Sequence, residues 1–157
     1  MDLNIISNSA EETIELGRKI GSQLKGGEII AICGSLGSGK THLIKGIAAG
    51  AGAAEAGKVT SPTFVIINEY KSRPSEGPDK GQLDVYHIDA YRLDSIAEFE
   101  MIGFDDYCRP ESVVLIEWAD KIESALQRIN YIRIELFHAG ETQRDVHIEN
   151  TPEYIAL

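Results

Sequence analysis

The segment GSLGSGKTH, Gly34 to His42, narrows most sharply what this chain can become. It follows EIIAIC, residues 28–33, an apolar run of strand length and so predicted to be a strand buried on both faces. Beyond it Leu43, Ile44, Ile47, Ala48 and Ala51 make one apolar helix face, closed by Gly50 and Gly52. Gly34, Gly39, Lys40 and Thr41 fill every fixed position of G-x-x-x-x-G-K-[ST], in the strand–loop–helix setting that the motif needs. Its glycines let consecutive backbone N–H groups close around a phosphate where a Cβ would obstruct, and the helix adds the positive end of its dipole. Lys40 is predicted to reach the β- and γ-phosphates, and Thr41 to offer its hydroxyl to Mg2+. Ser35, Leu36, Gly37, Ser38, Gly39, Lys40, Thr41 and His42 form the predicted nucleotide-binding stretch.

Around this unit strands alternate with helices. DLNII (2–6) reads as a strand, Ser9 and Glu12 have capping-box spacing, and Thr13, Gly17, Ile20 and Leu24 recur at helical spacing as far as Gly26-Gly27. FVIINEY (64–70), LDVYHID (83–89) and SVVLIEW (112–118) read as strands, SIAEFEMIGF (95–104) and ADKIESALQ (119–127) as helices. KSRPSEGPDKG (71–81) has the composition of a mobile surface loop. YIRIELF (131–137) and RDVHIE (144–149) flank HAGETQ, a hairpin turn containing Gly140. The expected architecture is one domain over residues 1–157, of class α/β. It is a three-layer P-loop NTPase-like sheet with helices on both faces and a C-terminal antiparallel β-hairpin.

Composition narrows the function. At 157 residues and 43% hydrophobic content the chain can bury a core without disulfides or structural metal. Cys33 and Cys108 have no metal-ligand spacing, and Cys33 reads as a small core residue. With 25 acidic against 15 basic residues the net charge is −10, which opposes direct gripping of nucleic acid. Any RNA is expected to be held by a partner. The first residues lack the pattern of a secretion signal and no apolar run is long enough for a membrane span, so a cytoplasmic protein is expected.

A phosphate-binding loop needs acids to anchor a metal or orient water. Glu117 ends the apolar strand SVVLIEW, where a Walker B acid belongs. Asp89 ends LDVYHID; alternation puts Val85, His87 and Asp89 on one face, and ligands of open α/β sheets sit at strand C-termini. In TSPTF, 60–64, Pro62 stiffens a short loop that carries Thr63, a candidate reporter of the γ-phosphate. No N-K-x-D guanine reader or D-x-x-G switch is present, which points to ATP rather than GTP. The seven arginines do not cluster into a phosphoryl-acceptor site; Arg92 and Arg144 are the two of interest. Three classes remain: a small ATPase acting through a partner, a kinase of a small metabolite or nucleotide, and a nucleotide-sensing adaptor.

In this order, GSLGSGKTH, TSPTF, YHIDAYRL, EFEMIGFDDY and VVLIEW resemble the TsaE (YjeE) family of bacterial ATPases, from the first helix to about Arg144. The resemblance implies a part in forming threonylcarbamoyladenosine (t6A) next to the tRNA anticodon. It implies ATP and Mg2+ as cofactors and cycling of the TsaB–TsaD complex, which uses threonylcarbamoyl-AMP made by TsaC. It further implies that Lys40 holds the phosphates, Thr41 and Glu117 the magnesium, and that Asp89 serves the metal, the water or the switch. Thr63 would sit in the switch-like loop, Ser9 and Ala10 would approach the adenine, and Arg144 would contact nucleotide. Slow hydrolysis alone and stimulation by partners are expected, since no residue plays an arginine finger. Three positions depart from the family pattern: Ser35 replaces an Asp, Ser38 an Ala and His42 a Thr. The last removes a hydroxyl that would touch the α-phosphate, though the backbone N–H remains.

Overall fold

The computed structural model describes residues 1–53, 67–71 and 83–157. Seven strands run β1 (Leu3–Ser7), β2 (Ile29–Gly34), β3 (Ile67–Lys71), β4 (Asp84–Asp89), β5 (Ser112–Glu117), β6 (Ile132–His138) and β7 (Arg144–Glu149). They form one sheet in the order β1-β7-β6-β2-β5-β4-β3. β2 lies between β5 and β6 and is parallel to both; β4 is parallel to β5. Both margins are antiparallel: β3 against β4, and the hairpin β6–β7 followed by β1. The expected α/β sheet with a C-terminal antiparallel hairpin is present, and the hairpin also carries the first strand of the chain.

Helices cover both faces. α1 (Ala10–Gly21) and α2 (Lys40–Gly50) lie on one side, where Leu16, Ile20, Ile44 and Ile47 pack with Ile30, Ile32, Leu115 and Ile134. The other side carries α3 (Ile96–Met101), α4 (Phe104–Tyr107) and α5 (Glu123–Leu126), where Phe99, Phe104 and Leu126 meet Ile29, Ala31, Cys33 and Ile116. Successive β2 residues therefore serve opposite cores, which is why the run 28–33 is apolar throughout. Burial pushes the Cys33 thiol up to about 12, consistent with a core residue.

α1 and α2 approach closely because glycines face glycines. A Cβ at Gly46 would strike the Ile14 carbonyl oxygen and the Gly17 Cα, and one at Gly21 the Ile47 carbonyl oxygen. Ser9 caps α1, its Oγ accepting from the Glu12 N–H at 3.1 Å; the Glu12 carboxylate reaches back to the Asn8 N–H at 2.7 Å, one residue earlier than the reciprocal pattern predicts.

Three expectations need correction. The first helix ends at Gly21 with Ser22 as its C-cap, short of the Gly26-Gly27 pair expected to close it. The helix over 95–104 is two short helices: Gly103 at φ 73 breaks it, and α4 begins afresh at Phe104. ADKIESALQ forms a 3-10 turn over Ala119–Lys121 and then the single turn of α5, because Trp118 at φ 59 sends the chain sharply off the end of β5. Thr63, the rest of TSPTF, the beginning of the 64–70 strand and nearly all of the 71–81 loop lie outside the described residues.

Candidate functional site

The loop between β2 and α2 turns on glycine. Gly34 at φ 138 and Gly39 at φ 102 adopt backbone conformations that other residues resist. At Gly34 a Cβ would also meet the Leu136 carbonyl oxygen and Ser38 Oγ, each at 2.6 Å. The loop opens onto a cavity of about 470 Å³ bounded by Leu36 to His42, by Ala10 and Thr13 of α1, and by Asp89 and Glu117. Tyr91 and Trp118 close one wall and the β6–β7 turn, with Glu141, Thr142 and Arg144, another.

Strand alternation sets the acids. Val85, Val113 and Leu115 pack beneath α1 and α2, so His87, Asp89 and Glu117 project to that same side. Asp89 and Glu117 are register partners at the C-terminal ends of β4 and β5. Glu117 Oε1 accepts from the Thr41 hydroxyl at 3.1 Å, tying the strand end to the first turn of α2. Its Oε2 lies 2.9 Å from His87 Nε2. Asp89 Oδ1 accepts from the Tyr91 N–H at 3.0 Å. Burial raises the Asp89 carboxyl above the usual carboxylate range; the Tyr91 N–H opposes that and the Glu117 carboxylate adds to it.

Lys40 is buried. Its ammonium donates to the Gly34 carbonyl at 2.7 Å and the Ser35 carbonyl at 2.8 Å, and it sits 3.7 Å from the centroid of the Trp118 ring. Desolvation lowers its pKa, and the Glu117 carboxylate works the other way. Trp118 in turn stacks against Tyr91 at 4.9 Å between centroids. From the hairpin, Arg144 Nε donates to the Ser38 carbonyl at 3.0 Å and its Nη2 to the Gly37 carbonyl at 3.2 Å, so a side chain of β7 braces the loop from outside.

The site thus gathers Ala10, Leu36, Gly37, Ser38, Gly39, Lys40, Thr41, His42, Asp89, Glu117 and Arg144 of the residues selected from sequence. Ser9 and Ser35 stand apart: the Ser9 hydroxyl caps α1, and Ser35 meets Lys40 through its carbonyl. Thr63 is outside the described residues. Sequence reasoning missed Thr13, His87, Tyr91, Glu141 and Thr142. For Tyr91 a signal existed: each strand-end acid is followed within two residues by an aromatic one.

The donors available to a cation here are a hydroxyl and two carboxylates, all hard oxygen ligands suited to magnesium. Among the described residues no cluster of three His, Cys, Asp or Glu side chains is assembled, so a cation here would draw its remaining ligands from phosphate and water. No described helix is long and apolar enough to cross a membrane.

Known proteins match this chain nearly end to end. The family model for threonylcarbamoyl adenosine biosynthesis protein TsaE matches residues 7–146. The Treponema pallidum tRNA threonylcarbamoyladenosine biosynthesis protein TsaE is 35% identical over 146 residues, covering 93% of this chain and 99% of its own. The Bacillus subtilis protein of that name is 36% identical over 136 residues, 87% of this chain and 78% of its own. Among solved structures, Bacillus subtilis YdiB superposes with a TM-score of 0.69 at 30% identity, covering 94% of this chain and 84% of that one. A glycine loop braced from the hairpin, strand-end acids facing it and a match across residues 7–146 make one case: the chain belongs to the TsaE family.

Proposed function

We propose that this chain is a Mg-dependent ATPase required for the t6A modification of tRNA, acting in the cytoplasm through ATP-driven cycling of the TsaB–TsaD complex. One observation carries the reading. The Thr41 hydroxyl and the Glu117 carboxylate meet at 3.1 Å beside the Lys40 ammonium, so loop and strand-end acid already form one unit. The relatives named for t6A biosynthesis supply the pathway, and the net charge of −10 favours a role beside a tRNA-holding partner over direct tRNA contact.

In this reading the N–H groups of the loop and the α2 N-terminus bind the β-phosphate, and Lys40 leaves the Gly34 and Ser35 carbonyls for the β- and γ-phosphates. Thr41 and Glu117 hold the cation, which when bound supplies charge neutralisation across those phosphates. Asp89, beside Glu117, orients water or completes the oxygen set. Ala10 and Thr13 stand on the base side, with Arg144 across from them on the hairpin.

Reconstituted t6A formation tests the proposal. With TsaB–TsaD, the wild-type chain should support many turnovers, and Lys40→Ala and Glu117→Ala should leave one round or fewer. Equal multi-turnover modification with or without the chain refutes the coupling. Phosphate release measured with and without TsaB–TsaD separates an ATPase from a nucleotide-sensing adaptor, and a phosphorylated metabolite would identify a kinase.

A further inference from the structure

His87 is fully buried, with 0% of its surface exposed, and stands in the middle of β4. Its register partners are Leu115 on β5 and Asn68 on β3. It lies two residues before Asp89, so its ring reaches diagonally to the acid that pairs with Asp89 rather than straight across. Nε2 is 2.9 Å from Glu117 Oε2, while Nδ1 has no hydrogen-bond partner among the described residues.

A buried ring with one nitrogen unmatched is a poor choice for packing alone. Leucine or methionine would fill comparable space between β4 and the α1–α2 core with no polar atom to desolvate. The compensation lies at the other nitrogen. With the Nε2 proton directed at Oε2, that oxygen is committed to the sheet and Oε1 is left facing Thr41 at 3.1 Å. Glu117 is itself buried and meets Thr41 through Oε1, so the His87 contact decides which of its two oxygens faces that hydroxyl.

We infer that His87 is a positioning residue for Glu117: its Nε2–H pins one carboxylate oxygen so that the other faces the Thr41 hydroxyl at the cation position. The inference rests on the ATPase reading above and adds a part to it. His87 touches neither nucleotide nor cation. Its effect is on how strongly the cation reinforces nucleotide binding, and outer-sphere partners of this kind typically change metal affinity or activity about 10–100-fold.

Three variants test this. His87→Gln keeps an amide donor at the reach of Nε2, His87→Asn places its donor at the reach of Nδ1 and misses Glu117, and His87→Leu removes the donor. Affinity for a non-hydrolysable ATP analogue is measured by calorimetry in excess Mg2+ and again in EDTA. The wild type should bind more tightly with Mg2+; absence of that enhancement in the wild type overturns the cofactor reading and the inference together. Asn and Leu should lose about 10-fold of the enhancement with EDTA affinity unchanged, and Gln should recover most of it. Equal enhancement in all four proteins overturns the inference alone. So does a matching loss in EDTA, which would mean general disruption, or a failure of Gln to recover. If Asn and Leu do not fold, the wild type still decides: the His87 Nε2 proton resonance should shift when Mg2+ joins the analogue complex, and an unmoved resonance overturns the assignment.

Discussion

The two coverings of the sheet differ in construction. On one side α1 and α2 are long helices in backbone contact, interlocked where Gly17 meets Gly46, where Gly21 lies against Ile47 and where Gly50 lies against Arg18. On the other side α3, α4 and α5 are short, joined by turns, and packed through aromatic pairs such as Phe99 with Phe104 at 5.0 Å. The candidate site takes its anchors, Lys40 and Thr41, from the interlocked side. Its aromatic neighbours Tyr91 and Trp118 sit on turns that lead to the other. A phosphate loop needs fixed geometry, and the covering that carries it is the one whose helices meet backbone to backbone.

The sharpest way to break this contrast is to add one methyl group on each side. Gly46→Ala drives a Cβ into the α1 backbone and should cost about 3 kcal/mol, a drop of roughly 10 °C in Tm by calorimetry. Gly103→Ala meets only the flexible Asp106 carboxylate, and its penalty is the left-handed backbone, about 1 kcal/mol. Equal losses would mean that the two coverings are equally tight.

Arg144→Ala tests whether the interlocked helices alone shape the loop. Removing the guanidinium breaks its hydrogen bonds to both the Gly37 and the Ser38 carbonyls, and nucleotide affinity measured by calorimetry should fall about 10-fold.

A smaller effect is expected at Asp89. Its carboxyl is raised by burial, so the native state holds this proton more tightly than the unfolded chain does. The stability it contributes is present below the unfolded value, about pH 4, and is lost as pH rises through the folded one. Asp89→Asn, which can still accept from the Tyr91 N–H, should raise Tm at pH 7 with the gain fading toward pH 3. Hydrolysis should fall in the same variant, as expected where an active site is held at a cost in stability.

The smallest signal is optical. Trp118 is the chain's one tryptophan and lies under the Lys40 ammonium, so its fluorescence should change when ATP draws Lys40 away. An unchanged spectrum on saturation would place the lysine's response elsewhere.

Much of this was readable from the chain because its causes are local. The phosphate loop depends on glycines within a few residues of one another, and Asp89 and Glu117 followed from strand-end position and alternation. His87 was placed on the correct face of its strand, but its contact with Glu117 depends on β4 lying beside β5, a neighbourhood that no local pattern states. Glu141 and Thr142 reach the cavity because β6 runs parallel to β2 and brings the β6–β7 turn to the loop, and Thr13 because β1, paired with β7, leads into α1 beside them. The break at Gly103 escaped because it falls at the end of a good helix-forming run, where a single glycine is compatible with a continuing helix.

That pairing of β1 with β7 has a consequence for biosynthesis. Leu3–Ser7 leaves the ribosome long before its partner, Arg144–Glu149. Ser7 pairs with Arg144, and the Ser7 hydroxyl is 2.7 Å from that of Thr13, so the edge strand, the base side of the cavity and the loop brace come together at one seam. A nascent chain can form the β2–α2 phosphate loop early, yet it cannot close the seam until the residues through Glu149 are outside the exit tunnel. A chain truncated within the hairpin would carry an intact motif and an unfinished pocket.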